Sequence, residues 1–140
     1  MCLKIGKRAF YACKRLSDVR LQCECEVIEE ETFKACRSLD HLELPNRLKK
    51  ILRQSFSYTS KLKEIEFPET LIQLGPYSFM HSGLTNVIFK GESLHILGTK
   101  TFQHCQSLRK VTLPKQIDKR GRKVFNGCCC LEKSMRRSKL

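Results

Sequence analysis

The chain is short of most things that would mark a special class. It has no tryptophan, only 7 glycines and 4 prolines in 140 residues, and 14 acidic residues against 27 lysines and arginines. Few glycines and prolines mean no low-complexity stretch and no linker. No apolar run approaches the ~18 residues a membrane span requires, and the opening Met1-Cys2-Leu3-Lys4 lacks the apolar stretch of a secretory signal. A soluble chain that is not exported by that route is expected, with no transmembrane segment. Paired carboxylates, a phosphate loop and a nucleophile triad are missing too, so the chain reads as no enzyme and implies no cofactor.

What is present is a period. Phe10, Phe33, Phe56, Phe79, Phe102 and Phe125 lie 23 residues apart, and only Phe67 and Phe89 fall outside that register. A fixed period of about 20–50 residues marks a stacked array. Three residues after each Phe stands a small side chain: Cys13, Cys36, Thr59, Ser82, Cys105 and Cys128. A leucine follows at Leu16, Leu39, Leu62, Leu84, Leu108 and Leu131, and then an alternating apolar pair such as Leu42/Leu44, Ile65/Phe67 or Val111/Leu113.

Alternation of this kind reads as a short strand, and Pro45, Pro68 and Pro114 close three of the strands because proline cannot donate to a ladder. Gly6, Gly75, Gly98 and Gly121 precede their Phe by four residues, where a backbone at positive φ would turn the chain into the next coil. The spacing of small residue, Phe and Cys between that glycine and the next strand suits one helical turn. One coil cannot bury its apolar edge alone; stacking places Phe over Phe and strand beside strand, and nearest-neighbour interfaces carry the stability.

The expected organisation is a single repeat domain over 1–140, with about six coils at 1–26, 27–49, 50–72, 73–95, 96–118 and 119–140. Coil four departs from the pattern. Leu84, Val87 and Phe89 each arrive one residue early and Gly91-Glu92 replaces the proline, which predicts a local bulge or altered turn. The last coil is degenerate, with Ser134 and Arg136 at its strand positions. Coil one starts mid-pattern without a polar cap, which suggests a piece of a longer array or an end shielded by self-association.

Of the 9 cysteines, four occupy the small-residue column, where their default role is to fill core; the odd total favours reduced thiols. Cys25 is expected to point inward and Cys23 outward. Cys128-Cys129-Cys130 cannot all converge on one tetrahedral ion, so no metal site is expected.

The pattern running Gly98-Thr99-Lys100-Thr101-Phe102 through Cys105, Leu108, Val111, Leu113, Pro114 and Ile117 resembles the BspA-type leucine-rich repeats, and the likeness covers about residues 5–131. The resemblance implies an α/β leucine-rich-repeat solenoid, with a parallel concave sheet and short helical or 3-10 turns on the convex side. It also implies a protein-binding or adhesion role without catalytic residues. It places the chain at a cell surface if it is a fragment of a longer member, whereas a complete chain would be cytoplasmic. Ser138-Lys139-Leu140 spells a peroxisomal address as a further alternative.

Two candidate surfaces follow. The outward positions of successive strands form rows, Asp18, His41, Glu64, Asn86 and Lys110 beside Arg20, Glu43, Glu66, Ile88 and Thr112, suited to a protein partner. Ile88 is the apolar anchor among them. The alternative is a basic surface for nucleic acid or an anionic membrane. From Lys115 to Leu140 there are nine Lys/Arg against Asp118 and Glu132, and its residues would be Lys119, Arg120, Arg122, Lys123, Arg136 and Arg137. No aromatic side chain interleaves Lys119-Arg120-Gly121-Arg122-Lys123 to stack bases.

Overall fold

The repeated alternation does form strands. The structure, a computed structural model, describes residues 4–132; coils two to five each contribute one strand to each of two parallel faces, and among the described residues coil one adds a single strand to one face and coil six a single strand to the other. The odd-numbered strands are β1 (Asp18–Arg20), β3 (His41–Glu43), β5 (Glu64–Phe67), β7 (Asn86–Phe89) and β9 (Lys110–Val111). The even-numbered strands, β2 (Val27–Ile28), β4 (Lys50–Ile51), β6 (Gln73–Leu74), β8 (Ile96–Leu97) and β10 (Lys119–Arg120), form one continuous ladder. Along that ladder Val27 pairs with Lys50, Lys50 with Gln73, Gln73 with Ile96 and Ile96 with Lys119, so the 23-residue step never slips.

The odd face is less regular. Asp18 pairs with His41 across β1 and β3, but Glu64 meets Asn86, one residue short of the period, and Asn86 meets Lys110, one residue long. The slip has a local cause. Coil three makes a turn closed by the Leu62 N–H on the Thr59 carbonyl, whereas in coil four the Gly83 N–H donates across to the Thr59 carbonyl. A Cβ on Gly83 would collide with the Ser60 backbone, so only glycine allows this shortcut. The expected altered turn is therefore present, and Lys90–Ser93 restores the missing residue before β8. The odd strands fall into two sheets, β1-β3 and β5-β7-β9, with no pairing between β3 and β5.

The side opposite the odd strands corrects one expectation. No helix, α or 3-10, occurs among the described residues; the segment around each Phe is a run of turns. In coil one the N–H groups of Ala9, Tyr11 and Cys13 donate to Gly6, Arg8 and Phe10 of the same coil, while those of Arg8, Phe10 and Ala12 donate to Glu30, Thr32 and Lys34 of the next. A helix keeps all its N–H groups on its own segment; here every second one is spent on stacking. The geometry requires positive φ two residues before and two after each Phe, at Arg8/Ala12, Glu31/Ala35, Gln54/Tyr58, Tyr77/His81, Lys100/His104 and Lys123/Gly127.

The column glycines accordingly do another job. Gly75, Gly98 and Gly121 do not adopt positive φ; a Cβ at Gly75 would lie 2.7 Å from the Leu52 carbonyl carbon, and at the other two it would strike the backbone of the preceding coil. They permit close approach between coils, not a left-handed turn.

The Phe column forms as expected, with ring centroids 5.2, 5.2, 5.1, 5.7 and 5.7 Å apart from Phe10 to Phe125. Phe33, Phe56, Phe79 and Phe102 are fully buried while Phe10 is 40% exposed. Cys36, Cys105 and Cys128 fill core beside Thr59 and Ser82. Each of these thiols donates to the carbonyl of the preceding coil's Phe at 3.0–3.1 Å. Burial pushes the Cys36 thiol up to about 11. Cys23 and Cys25, expected to be reduced and on opposite faces, instead form a disulfide. Their Cα atoms are 5.3 Å apart, less than the ~6.6 Å that two residues of extended strand would span; the bend at Cys23 shortens that span.

Candidate functional site

Alternation along each odd strand turns one set of side chains into the core and the other into solvent. Val19, Ile65, Val87 and Val111 are buried, while their neighbours Asp18, Arg20, Glu64, Glu66 and Lys110 are exposed. Register then sets the exposed ones in rows: Asp18 beside His41, Arg20 beside Glu43, Glu64 beside Asn86, Glu66 beside Ile88 and Asn86 beside Lys110. Thr112 lies just past β9 and is exposed. Ile88 is 40% exposed, the most accessible aliphatic side chain on this face. Beside it, Ile88, Phe89, Leu113 and Pro114 line a shallow groove of about 280 Å³.

Between the two sheets the rows are interrupted. A cleft of about 510 Å³ opens there, walled by Asp40, His41 and Glu43 on one side and Lys63, Glu64 and Glu66 on the other, with Leu42, Leu44 and Pro68 along its floor. Leu42 is only half-buried, unlike the equivalent residues of the other odd strands. Like charges directly opposite one another destabilise strand pairing. A 23-residue register would set Glu43 against Glu66 at this junction, whereas the strands that do pair oppose Arg20 to Glu43 and Glu66 to Ile88.

The cleft gathers four carboxylates against Lys63 and Lys90. Glu66 is 3.4 Å from Lys90, but Asp40, Glu43 and Glu64 form no ion pair among the described residues. Several carboxylates elsewhere are matched, Glu26 with Lys49 at 3.5 Å, Glu30 with Lys7 at 3.5 Å, and Glu31 with Arg8 at 3.1 Å and Lys34 at 3.4 Å, while Glu24, Glu69, Glu92 and Glu132 stand singly without an ion pair among the described residues. Burial pushes the Glu31 carboxyl up, yet the Arg8 hydrogen bond and the Lys34 charge outweigh it and hold the group below its ordinary range.

The basic candidates lie apart from these rows. Lys119 and Arg120 form β10 at one end of the even ladder, and Arg122 and Lys123 follow in the link to the last Phe turn; all four are exposed. Arg136 and Arg137 lie outside the described residues, as does Ser138-Lys139-Leu140. Among the described residues, no group of three or more His, Cys, Asp or Glu is arranged to hold a metal ion, and no helix is long and apolar enough to cross a membrane.

Sequence reasoning passed over one further column. Tyr58, His81 and His104 stack on the turn side with ring centroids 5.0 and 4.7 Å apart, and Arg37 covers Tyr58 at 5.7 Å. Burial, and secondarily the neighbouring His104, hold His81 below its ordinary value. The signal was available: all three residues stand two places after a column Phe.

Comparison with known proteins agrees with this architecture. A model of the BspA type leucine rich repeat region matches residues 3–132 as 6 copies. The crystal structure of a leucine-rich repeat protein from Bacteroides ovatus superposes with a TM-score of 0.83 at 28% identity, covering 92% of this chain and 33% of that one. That of a T. pallidum leucine rich repeat protein also gives 0.83, at 26% identity, covering 97% of this chain and 74% of that one. The chain thus spans about a third of the Bacteroides protein's length. A sequence comparison with curated proteins found no match.

Proposed function

Because the chain belongs to the BspA-type leucine-rich repeat family, we propose that it is a non-enzymatic module that binds a protein partner across the face of its odd strands. In this reading residues 1–140 act as one repeat domain, the face is concave, and its role is adhesion or capture of a partner. The observation that carries it is the register, which within each of the two odd-strand sheets sets exposed side chains of successive coils in rows above core residues. Extended repeat surfaces of this kind suit partner binding. The contact residues would be Asp18, Arg20, His41, Glu43, Glu64, Glu66, Asn86, Ile88, Lys110 and Thr112. Ile88 would be the apolar anchor within a polar surround, the usual composition of an interface hot spot and its rim.

The second reading is binding of nucleic acid or an anionic surface through the basic stretch. It draws on the exposure of Lys119, Arg120, Arg122 and Lys123, none of which forms a side-chain ion pair among the described residues. Affinity capture from the source organism separates the two. A Glu43→Lys/Glu66→Lys/Ile88→Asp variant should lose the partner, and an Arg122→Glu/Lys123→Glu/Arg136→Glu/Arg137→Glu variant should retain it. The opposite result would move the function to the basic stretch.

A further inference from the structure

We propose that the cleft between β3 and β5 seats a lysine- or arginine-rich extended segment of the protein partner. The inference rests on the reading of the odd-strand face as the partner surface and names the chemistry that surface selects. Three observations converge on it. Asp40, Glu43 and Glu64 remain without ion pairs although Lys63 and Lys90 also line the cleft, Lys90 being paired with Glu66. They stand on facing walls, where a cation placed between Glu43 and Glu64 relieves a repulsion the fold leaves open. The floor of Leu42, Leu44 and Pro68 is apolar and partly uncovered.

A lysine or arginine side chain matches both features, since its methylene stem lies along apolar surface while its charged head reaches carboxylates. An extended backbone also fits. Alternate residues of a parallel strand direct their backbone groups to alternate sides, and β3 and β5 form no ladder with each other across the cleft. The net positive charge of the chain does not preclude a cationic ligand. At physiological salt the Debye length is about 8 Å, so distant lysines are screened while carboxylates in contact are not. Phosphate-bearing polymers are disfavoured here by the same carboxylates.

The test is a fluorescence-anisotropy titration of the full chain against a labelled eight-residue peptide of alternating arginine and alanine, with amide chemical-shift mapping of the bound wild-type protein. Expected are saturable, salt-sensitive binding with shifts at residues 40–44 and 63–66, and weakening of about tenfold or more in Asp40→Asn/Glu43→Gln/Glu64→Gln. The control Glu69→Gln/Glu132→Gln should bind as wild type. Unchanged affinity in the triple variant, or shifts that map elsewhere, would overturn the assignment. So would binding seen only after removal of residues 133–140, which would make the chain's own basic end the occupant. An Ile88→Asp/Thr112→Asp variant keeps the two levels apart. If it loses the native partner while the peptide ignores the cleft carboxylates, only the cleft assignment fails. If neither variant affects the native partner, the odd-face reading fails as well.

Discussion

Glu43 on β3 and Glu66 on β5 stand one repeat apart, and the strands that carry them are neighbours that do not pair. Pairing them would set two carboxylates side by side, at a cost of roughly 0.2–1 kcal/mol. The even ladder carries no such conflict at the same level and runs through unbroken, from Val27 to Lys50 to Gln73. The unbroken even ladder rules out the coil step as the source of the break on the odd face.

Neutralising one member of the pair should close the gap. Glu66→Gln is expected to raise stability by a few tenths of a kcal/mol up to about 1 kcal/mol in chemical denaturation. It should also slow hydrogen exchange at the β3 and β5 amides that face the cleft. Unchanged exchange would show that backbone geometry, not charge, holds the strands apart.

The Phe column makes a positional prediction. Phe56→Ala, at a fully buried ring stacked on both sides, should cost about 3–5 kcal/mol. Phe10 is 40% exposed and stacks on Phe33 alone, so Phe10→Ala should cost about 1–2 kcal/mol. Equal losses in denaturant titrations would contradict nearest-neighbour stacking as the main source of stability.

Gly98 and Gly6 occupy the same column but different surroundings. A Cβ at Gly98 meets the backbone of Gly75 and Pro76, while one at Gly6 meets nothing within 4 Å. Gly98→Ala should destabilise by about 1–3 kcal/mol through overpacking, and Gly6→Ala should be close to neutral. Thermal unfolding of the two variants measures the difference.

His81 gives a pH dependence with a definite sign. Its folded value lies below the ordinary 6.5, first because it is partly buried and second because a charge on the neighbouring His104 would repel its own. A depressed folded value favours the neutral form, so this contribution to stability is complete above about 6.5 and is lost as pH falls through the folded value. His104→Gln should move the His81 titration upward, followed by imidazole proton shifts, and should flatten the fall in stability on acidification. A His81 titration that does not move would assign the shift to burial alone.

Much of the fold was legible because its determinants recur. The Phe column, the buried leucines and the alternating pairs repeat often enough that one period predicts stack, strands and core together, and the early arrival of Val87 pointed to the shortened turn at Gly83. The turns were misread because the Gly98-to-Cys105 spacing fits one helical turn locally; only a neighbouring coil that accepts every second N–H makes tandem turns the better solution. The glycine role was misread for the same reason, since Gly98 is required by a backbone one coil away. The rows of the odd face were readable from alternation. The cleft was not, because it depends on what Glu43 meets across a junction and not on either strand alone.

The most direct test of partner binding on the odd face is site-specific photo-crosslinking in extracts of the source organism. A benzophenone amino acid would replace Glu43, Ile88, Tyr77 or Arg122, one at a time. The account predicts one shared partner adduct from positions 43 and 88 and none from 77 or 122. An adduct formed from 77 or 122 but absent from 43 and 88 would contradict it and place the working surface on the turns or the basic stretch.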